Sequence, residues 1–233
     1  VFVYACLKFF LDWSISLRFE GFNIARFLPT EDGIRMLSRE IAVYQDLSGN
    51  IINCWNNTPL KPQSPEMVPV VHVHNDPVNS TISGGEHFDL GEQVVWTKEV
   101  MRRYPNPLPV TDYPLYSTSN TYESAEMFNF YSNRADLNDP SQASVPVTLS
   151  WSRVGQPLPW MRAGQTSSKL IYHTHGRKLL GGFHELPTKL KNYVINHAPN
   201  FATAPKWDIS PNTTSWRYFR SVIDSGKYQS TCN

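Results

Sequence analysis

The residues best suited to chemistry lie together in the segment Val70–Asn79, which reads VVHVHNDPVN. Side chains alternate along an extended strand, so His72 and His74 should share one face. The following segment Asn75–Pro77 predicts a turn, because proline fixes φ and Asn and Asp side chains bond the local backbone. Two imidazoles, an amide and the Asp76 carboxylate would then leave one strand end together. That pattern would make a functional site, although a half-buried strand with a capped end would also produce it.

A second His-x-His pair, His173 and His175, lies in another predicted strand, Leu170–His175. Four imidazoles at a barrel mouth would suit zinc, iron or copper, but no H-E-x-x-H or H-x-x-E-H helix accompanies them. We therefore predict no metal and no cofactor, and expect the histidines to be polar groups of a mostly apolar pocket or its hydrogen-bonded wall. G-x-S-x-G, G-x-G-x-x-G and Walker A motifs are absent as well. The carboxylates of Asp76, Glu123 and Glu126 have no distinctive spacing.

Aromatic residues make up 13% of the chain and are spread over several predicted strands and loops. Most of them should fill the core. If some line a barrel interior, the result is an apolar pocket with a few placed polar groups, which is the usual form of a small-molecule site. The aromatic residues in question are Trp96, Tyr116, Tyr122, Phe128, Tyr131, Trp151, Trp160 and Tyr172.

The elements that must position these residues are mainly strands. Charged residues are only 18% of the chain and there are 18 prolines, which favours a strand-rich and turn-rich protein over a helical bundle. Only the C-terminal part predicts helices, with Leu186, Leu190 and Val194 at fourfold spacing and Thr213 or Thr214 as a cap. We predict one domain over residues 1–233, a single antiparallel β-barrel with short C-terminal helices packed outside.

The charge pattern excludes some partners. The net charge is +1 and no Lys/Arg run exceeds two residues, so neither nucleic acid nor an anionic membrane is an expected partner. The apolar segment Val1–Leu11 is interrupted by Lys8, and therefore predicts a strand rather than a membrane span or a signal peptide.

Cysteines and sequons point to the secretory pathway. Three cysteines, Cys6, Cys54 and Cys232, allow at most one intramolecular disulfide and leave its pairing open. Three N-x-S/T sequons in turn-like contexts predict glycosylation and a secreted or secretory-pathway protein. Their acceptor residues are Asn56, Asn79 and Asn212.

Several segments together resemble a family of uncharacterised bacterial and fungal proteins catalogued as a domain of unknown function. They are FEGFNIAR at 19–26, LSRE at 37–40, Val70–Asn79, YESAEMF at 122–128 and SWSRVG at 150–155. Leu158–Met161, Tyr172–His173 and Thr214–Trp216 extend the match, so the resemblance covers roughly residues 19 to 220 in order. On these motifs the chain is identified as a member of that family.

Within the family, the secreted-looking chain resembles the fungal hetero-Diels–Alderases of tropolonic sesquiterpenoid biosynthesis, which use no cofactor. The resemblance implies that a hydroxymethyl tropolone or related phenol loses water to give an ortho-quinone methide. This heterodiene then adds across a double bond of a humulene-type sesquiterpene and forms a dihydropyran. Such chemistry asks for a large apolar pocket, a general acid for the departing hydroxyl and a hydrogen-bond donor to the diene oxygen.

Residue type and predicted position then suggest roles. Proton transfer is assigned to His72, His74 or His173, with Asp76 orienting an imidazole. Arg162, Tyr116 or Tyr131 would bind the oxygen, and the terpene would contact Trp96, Phe128, Trp151, Trp160 and Met161. Two other functions fit the sequence: a carrier of small apolar molecules, and a metal-dependent oxygenase or hydrolase that uses the His-x-His pairs. A homodimer is compatible with the sequence.

Overall fold

The computed structural model describes residues 2–7, 17–31, 33–82, 86–164, 166–206, 211–228 and 232. Its strands are β1 (Phe2–Leu7), β2 (Arg18–Thr30), β3 (Gly33–Gln45), β4 (Cys54–Asn56), β5 (Met67–Pro69), β6 (Val73–Ile82), β7 (Glu86–Leu90), β8 (Gln93–Pro105), β9 (Thr121–Asn133), β10 (Thr148–Gly155) and β11 (Leu170–Lys178). Its α-helices are α1 (Arg134–Asn138), α2 (Thr188–His197) and α3 (Ser215–Asp224). The predicted N-terminal strand is confirmed over β1, while residues 8–11 and the side chain of Cys6 lie outside the described part.

Nine strands form one antiparallel sheet in the order β6-β3-β2-β1-β11-β10-β9-β8-β7. The mainly β class is therefore confirmed. Within the described residues β6 and β7 are the two edges and do not pair, so the closed barrel is not confirmed. The remaining strands, β4 and β5, form a separate two-stranded sheet.

The long β2–β3 hairpin shows why these residues form paired strands. The two strands keep one continuous register from Arg18 opposite Gln45 to Thr30 opposite Gly33. At Gly21 the strands approach so closely that a Cβ atom would lie 2.4 Å from the carbonyl oxygen of Ile41. A glycine is required there because a side chain would collide with backbone.

Each face of the sheet carries a buried core. We call the face that carries Tyr44 and Tyr172 the inner face, and the face that carries Ile41 the outer face. On the inner face, a core forms with the turn at Pro159–Met161 and with α3. On the outer face, the apolar residues of β2 and β3 pack against Leu190 and Val194 of α2 and against Leu186, which precedes that helix. Because α3 runs beside the edge strand β6, it reaches both faces.

The predicted turn at Asn75–Pro77 is wrong. Strand β6 runs through it, with a cis peptide bond between Asp76 and Pro77. The pairing with β3 shifts by one position between Ser38 and Glu40 and then resumes. A proline without an N–H is tolerated here because β6 is an edge strand and the shift interrupts the ladder.

The helices follow the predicted signals in most respects. Thr214 caps α3, since its hydroxyl oxygen accepts a hydrogen bond from the N–H of Arg217 at 3.2 Å. The short helix α1 was not predicted. The side chain of Asn133 caps its start by accepting a hydrogen bond from the N–H of Ala135. Cys54 is disulfide-bonded to Cys232, a pairing that the sequence left open. In the described part of the chain, no helix has the length and apolar character needed to cross a bilayer.

Candidate active-site cleft and inner aromatic cluster

An open cleft of about 450 Å³ lies on the outer side of β6. Strand β6 supplies His74 and Asp76, α3 supplies Tyr218, and the segment that ends α2 supplies His197 and Phe201. Alternation along β6 places His74 and Asp76 on the same side of the strand, as the sequence predicted. The cleft therefore combines two imidazoles, a phenol and a carboxylate with apolar wall residues.

The imidazole of His74 lies between two tyrosine hydroxyls. Its Nδ1 is 2.9 Å from the hydroxyl of Tyr218, and its Nε2 is 3.3 Å from the hydroxyl of Tyr193 on α2. Burial, and then the nearby His197, lower the pKa of His74 from 6.5 to about 4. The ring is therefore neutral near pH 7, with one nitrogen donating and the other accepting. A neutral imidazole between two hydroxyls can pass a proton either way.

His72 supports this group from the next position on the same side of the chain. Its Nδ1 accepts the main-chain N–H of Tyr44 at 3.1 Å, and its ring meets the ring of Tyr193 edge-on at 5.3 Å. Burial, followed by the charges of His74 and His197, lowers the pKa of His72 to about 4. The described lining of the cleft does not include His72. We infer that His72 positions Tyr193.

The Asp76 carboxylate accepts a hydrogen bond from an arginine, whereas the sequence predicted that it would orient an imidazole. Nε of Arg39 lies 2.9 Å from Asp76 Oδ2, and Nη1 of the same guanidinium donates to the carbonyl oxygens of Asn200 and Thr203 at 2.8 and 2.9 Å. The pair thus ties β3 and β6 to the turn that carries Phe201, whose ring lies 5.6 Å from that of His74. Asp76 and Arg39 hold the wall of the cleft.

The other two predicted catalytic residues lie away from this cleft. His173 on β11 places its Nδ1 2.9 Å from the hydroxyl oxygen of Ser152. Arg162 is buried after the turn at Pro159–Met161, where its Nη1 donates to Glu66 at 3.3 Å and its guanidinium lies 6.0 Å from the ring centre of Tyr116. Of the predicted catalytic set, the structure brings together His74 and Asp76, with His72 adjacent.

The predicted apolar contacts separate into two groups, and neither borders the cleft. Trp160 and Met161 are buried core residues, and Tyr116 packs on the rings of Phe219 and Tyr228. Trp151 lies opposite Phe128 in the register, and Trp96 lies opposite Phe130, two positions further along β9. Residues opposite one another or two positions apart share a face, so Trp96, Phe128 and Trp151 all lie on the inner face. Tyr131 follows Phe130 along β9, so it points to the opposite side. Sequence reasoning therefore combined residues that lie on opposite faces of the sheet.

An acidic and aromatic cluster on the inner face was missed as a unit. Glu126 accepts hydrogen bonds from Trp151 Nε1 at 3.2 Å and from Arg102 Nε at 3.3 Å. Arg153, opposite Glu126 in the register, is hydrogen-bonded to the hydroxyl of Tyr122 and lies 5.3 Å from the ring centre of Tyr172. Burial raises the pKa of Glu126 against the effect of Arg102. The alternation of side chains along β9 could have grouped Glu126 with Phe128. The sequence does not show which strands pair with β9, so Arg102, Trp151 and Arg153 could not be added to the group.

The three sequons lie in different surroundings. Asn56 is exposed, and its side-chain oxygen accepts the N–H of Thr58 at 2.9 Å. The side chain of Asn212 accepts the N–H of Asn79 and donates to its carbonyl oxygen, both at 2.7 Å. Two of the sequons are thus bonded to each other and join β6 to the start of α3. Glycosylation of all three remains a prediction.

The family model described as "Protein of unknown function (DUF1838)" matches residues 15–223. The chain belongs to this family. The family resemblance of the sequence motifs is thereby confirmed, and the description assigns no activity. No curated protein matches the chain.

One solved structure is similar in part, a candidate lipoprotein from Parabacteroides distasonis. It is 10% identical, with 76% of this chain and 94% of that chain covered and a TM-score of 0.23. A likeness this low carries no argument about fold, location or function. Among the described residues, no group of three or more His, Cys, Asp or Glu side chains is placed to hold a metal ion.

Proposed function

We propose that this protein is a cofactor-independent enzyme that moves protons on a small, mostly apolar molecule bound in the cleft. The observation that carries the proposal is the neutral imidazole of His74 between the hydroxyls of Tyr218 and Tyr193. The most specific form is the hetero-Diels–Alderase reaction that the sequence resemblance implies. A tropolone-derived ortho-quinone methide would be joined to a humulene-type sesquiterpene to form a dihydropyran.

The first step is the loss of water from a hydroxymethyl tropolone or phenol. His74 takes the proton of the ring hydroxyl, while Tyr218 gives its own proton to the departing hydroxyl and recovers one from His74. The C–O bond of the hydroxymethyl group breaks, water leaves and the quinone methide remains, so the protein returns to its starting protonation state. General acid–base catalysis of this kind contributes roughly 10²–10⁴-fold in rate.

The second step joins the heterodiene to the alkene without any protein nucleophile. A hydrogen bond from Tyr218 to the quinone-methide oxygen stabilises the charge that develops there during addition. Phe201, Ala198 and Pro199 provide apolar wall for the terpene. Holding the two reactants together contributes further, because orientation replaces a bimolecular encounter.

The disulfide between Cys54 and Cys232 and the exposed sequon at Asn56 support a secreted or secretory-pathway location within this proposal. Glycosylation of the sequons and a role in fungal secondary metabolism are part of the same proposal.

The test is incubation of the purified protein with a quinone-methide precursor and humulenol, scored by chiral chromatography and mass spectrometry. The expected result is a single enantiomer of the dihydropyran, formed faster than without enzyme. Tyr218→Phe and His74→Asn should lower the rate at least tenfold, while His175→Asn, which changes an exposed imidazole on β11, should not.

Other outcomes would replace the proposal. The protein would be a carrier if two results were found together. The product would be racemic and form at the background rate, and either reactant would bind tightly to both the unmodified chain and the His74→Asn variant. Activity that disappears with a chelator and returns with one metal ion would make it a metal-dependent enzyme.

A further inference from the structure

The two tyrosines beside His74 differ in what surrounds their hydroxyls. Tyr218 borders the open cleft, whereas Tyr193 on α2 is not among the described residues that line it. Within the described part of the chain, the hydrogen-bond partner of the Tyr193 hydroxyl is Nε2 of His74, at 3.3 Å. Burial, followed by the nearby Tyr218, raises the pKa of Tyr193 to about 12, so this hydroxyl keeps its hydrogen at neutral pH. The acceptor available to that hydrogen is therefore the ring nitrogen.

This contact fixes the direction of the hydrogen bonds through His74. A neutral imidazole has one N–H and one nitrogen that accepts, so Nε2 accepts from Tyr193 only if the proton is on Nδ1. Nδ1 then donates to the hydroxyl oxygen of Tyr218, 2.9 Å away, and the hydrogen of Tyr218 is left to point into the cleft. The reverse order would leave the hydrogen of Tyr193 without an acceptor among the described residues, which costs free energy for a group shielded from water.

The ring of Tyr193 is held in place by two further imidazoles. His72 meets it edge-on with ring centres 5.3 Å apart, and His197, one turn further along α2, lies 4.8 Å from it. These contacts restrict the direction of the Tyr193 hydroxyl relative to His74. Hydrogen bonds that follow one another in a chain also polarise each other, so Tyr218 at its end is a stronger donor than an isolated phenol.

The lining of the cleft narrows what Tyr218 can bind. Its oxygen accepts from His74 in this arrangement, so its hydrogen requires an acceptor oxygen in the ligand. The lining that the structure describes contains no lysine or arginine, and the charge of Arg39 behind it is balanced by Asp76. An anionic ligand would therefore gain no net attraction there, whereas a neutral carbonyl requires only the hydrogen bond. The apolar wall at Ala198 and Phe201 suits a hydrocarbon body.

We propose that the hydrogen bonds run from Tyr193 through His74 to Tyr218, with the His74 proton on Nδ1, and that the cleft binds a neutral carbonyl compound whose oxygen accepts from Tyr218. Tyr193 is then a positioning residue, because it sets the tautomer of His74 and thereby makes Tyr218 a donor. This inference deepens the proposed function and rests on the cleft as its ligand site, but on no particular reaction.

The first test determines the tautomer of His74 by NMR of the ligand-free full chain at pH 7. Protonated and unprotonated imidazole nitrogens have well-separated chemical shifts, and His74→Asn identifies the signals of His74. The unmodified chain should carry the proton on Nδ1. Tyr193→Phe should move it towards Nε2, whereas Tyr218→Phe should leave it on Nδ1, because Tyr193 still donates. Tyr131→Phe is the matched control: Tyr131 is outside the described lining, so the His74 signals should not change.

A proton on Nε2 in the unmodified chain would overturn the inference. So would a tautomer that changes in Tyr218→Phe but not in Tyr193→Phe, since that is the result expected for the reverse order of hydrogen bonds. The NMR measurement requires neither ligand nor turnover. A wrong tautomer therefore leaves the proposed reaction to the product assay, and a negative product assay leaves the tautomer result standing.

The second test compares three ligands that share a naphthalene ring. They are 2-acetylnaphthalene, 2-ethylnaphthalene and 2-naphthoate, which offer a neutral carbonyl, no acceptor and a negative charge. Calorimetry should show that the acetyl compound binds roughly fivefold more tightly than either of the others, as expected for one hydrogen bond. In Tyr218→Phe, shown to be folded by circular dichroism, the more apolar ethyl compound should become the tighter ligand. Tightest binding of the naphthoate, or no binding of the acetyl compound, would overturn the carbonyl site.

Discussion

Lowering the pH from 7 to 5 should destabilise this protein, because two of its histidines are neutral in the folded state. The pKa values of His72 and His74 are both lowered from 6.5 to about 4, chiefly by burial. An unfolded chain takes up these protons near pH 6.5, and the folded chain only near pH 4. Between those values the unfolded state binds more protons, so the free energy of unfolding falls as the pH falls.

The size of the effect follows from the same two pKa values. Each pKa unit corresponds to about 1.4 kcal/mol, so a group that shifts from 6.5 to about 4 costs about 2 kcal/mol at pH 5. Both imidazoles together cost about 4 kcal/mol, a large part of the 5–15 kcal/mol that is typical of folded proteins. The loss should be small above pH 7 and level off below pH 4.

The assay is urea unfolding at pH 7, 6 and 5 of the unmodified chain and of a His72→Asn/His74→Asn variant. In the folded protein, His72 Nδ1 accepts the main-chain N–H of Tyr44. Asparagine places its side-chain oxygen near the position of that nitrogen and can accept the same N–H. Burial raises the pKa of Glu126, which acts in the opposite direction, but that group is present in both proteins and cancels in the comparison.

The double variant should lose far less stability between pH 7 and 5 than the unmodified chain. His87→Asn, which removes an exposed imidazole on β7, leaves both buried rings in place and should retain the full acid sensitivity. If the double variant and the unmodified chain lost the same free energy over this range, the two imidazoles would not be the buried neutral groups inferred from the structure.

Three further predictions concern the cleft and the scaffold. The rate of the dehydration step should fall on the acid side with a midpoint near pH 4 rather than 6.5, because only neutral His74 accepts a proton; initial rates on protein shown to be folded test this. Thr214→Ala should lower the free energy of unfolding by about 1 kcal/mol through loss of the α3 cap, measured by urea unfolding. Replacing Cys54 and Cys232 by alanine should lower it by about 2–5 kcal/mol, because the disulfide closes a long loop of 178 residues, and an unchanged urea midpoint would contradict this.

Local pattern predicted that His72 and His74 share one side of the chain, and both rings contact Tyr193, although β6 begins only at Val73. It did not predict the two groups that make His74 chemically distinctive. Tyr193 and Tyr218 are 119 and 144 residues away along the chain, and meet His74 only because α2 packs on the outer face and α3 beside β6. Contacts of that range depend on tertiary packing, which no local spacing encodes.

The prediction of a closed barrel was limited in the same way, because it too depended on contacts between distant parts of the chain. Alternation and turns predicted the strands, but closure depends on whether β6 and β7 pair, and those strands are the edges of the described sheet. Grouping the aromatic residues into one pocket depended on closure. Parity alone would have separated Tyr131 from Phe128, since an odd number of positions divides them on one strand.

The cleft and the inner aromatic cluster lie on opposite faces of the sheet, because side chains alternate along each strand. On β3, Arg39 reaches Asp76 at the cleft, while the next residue, Glu40, reaches Asn75 on the inner face. Adjacent residues of the β3–β6 pair thus point to opposite faces of the sheet. Phe128→Leu, a change on the inner face that removes no titratable group, should therefore leave the acid sensitivity conferred by His72 and His74 intact. A changed acid sensitivity in the folded Phe128→Leu protein would mean that changes in packing are transmitted between the two faces.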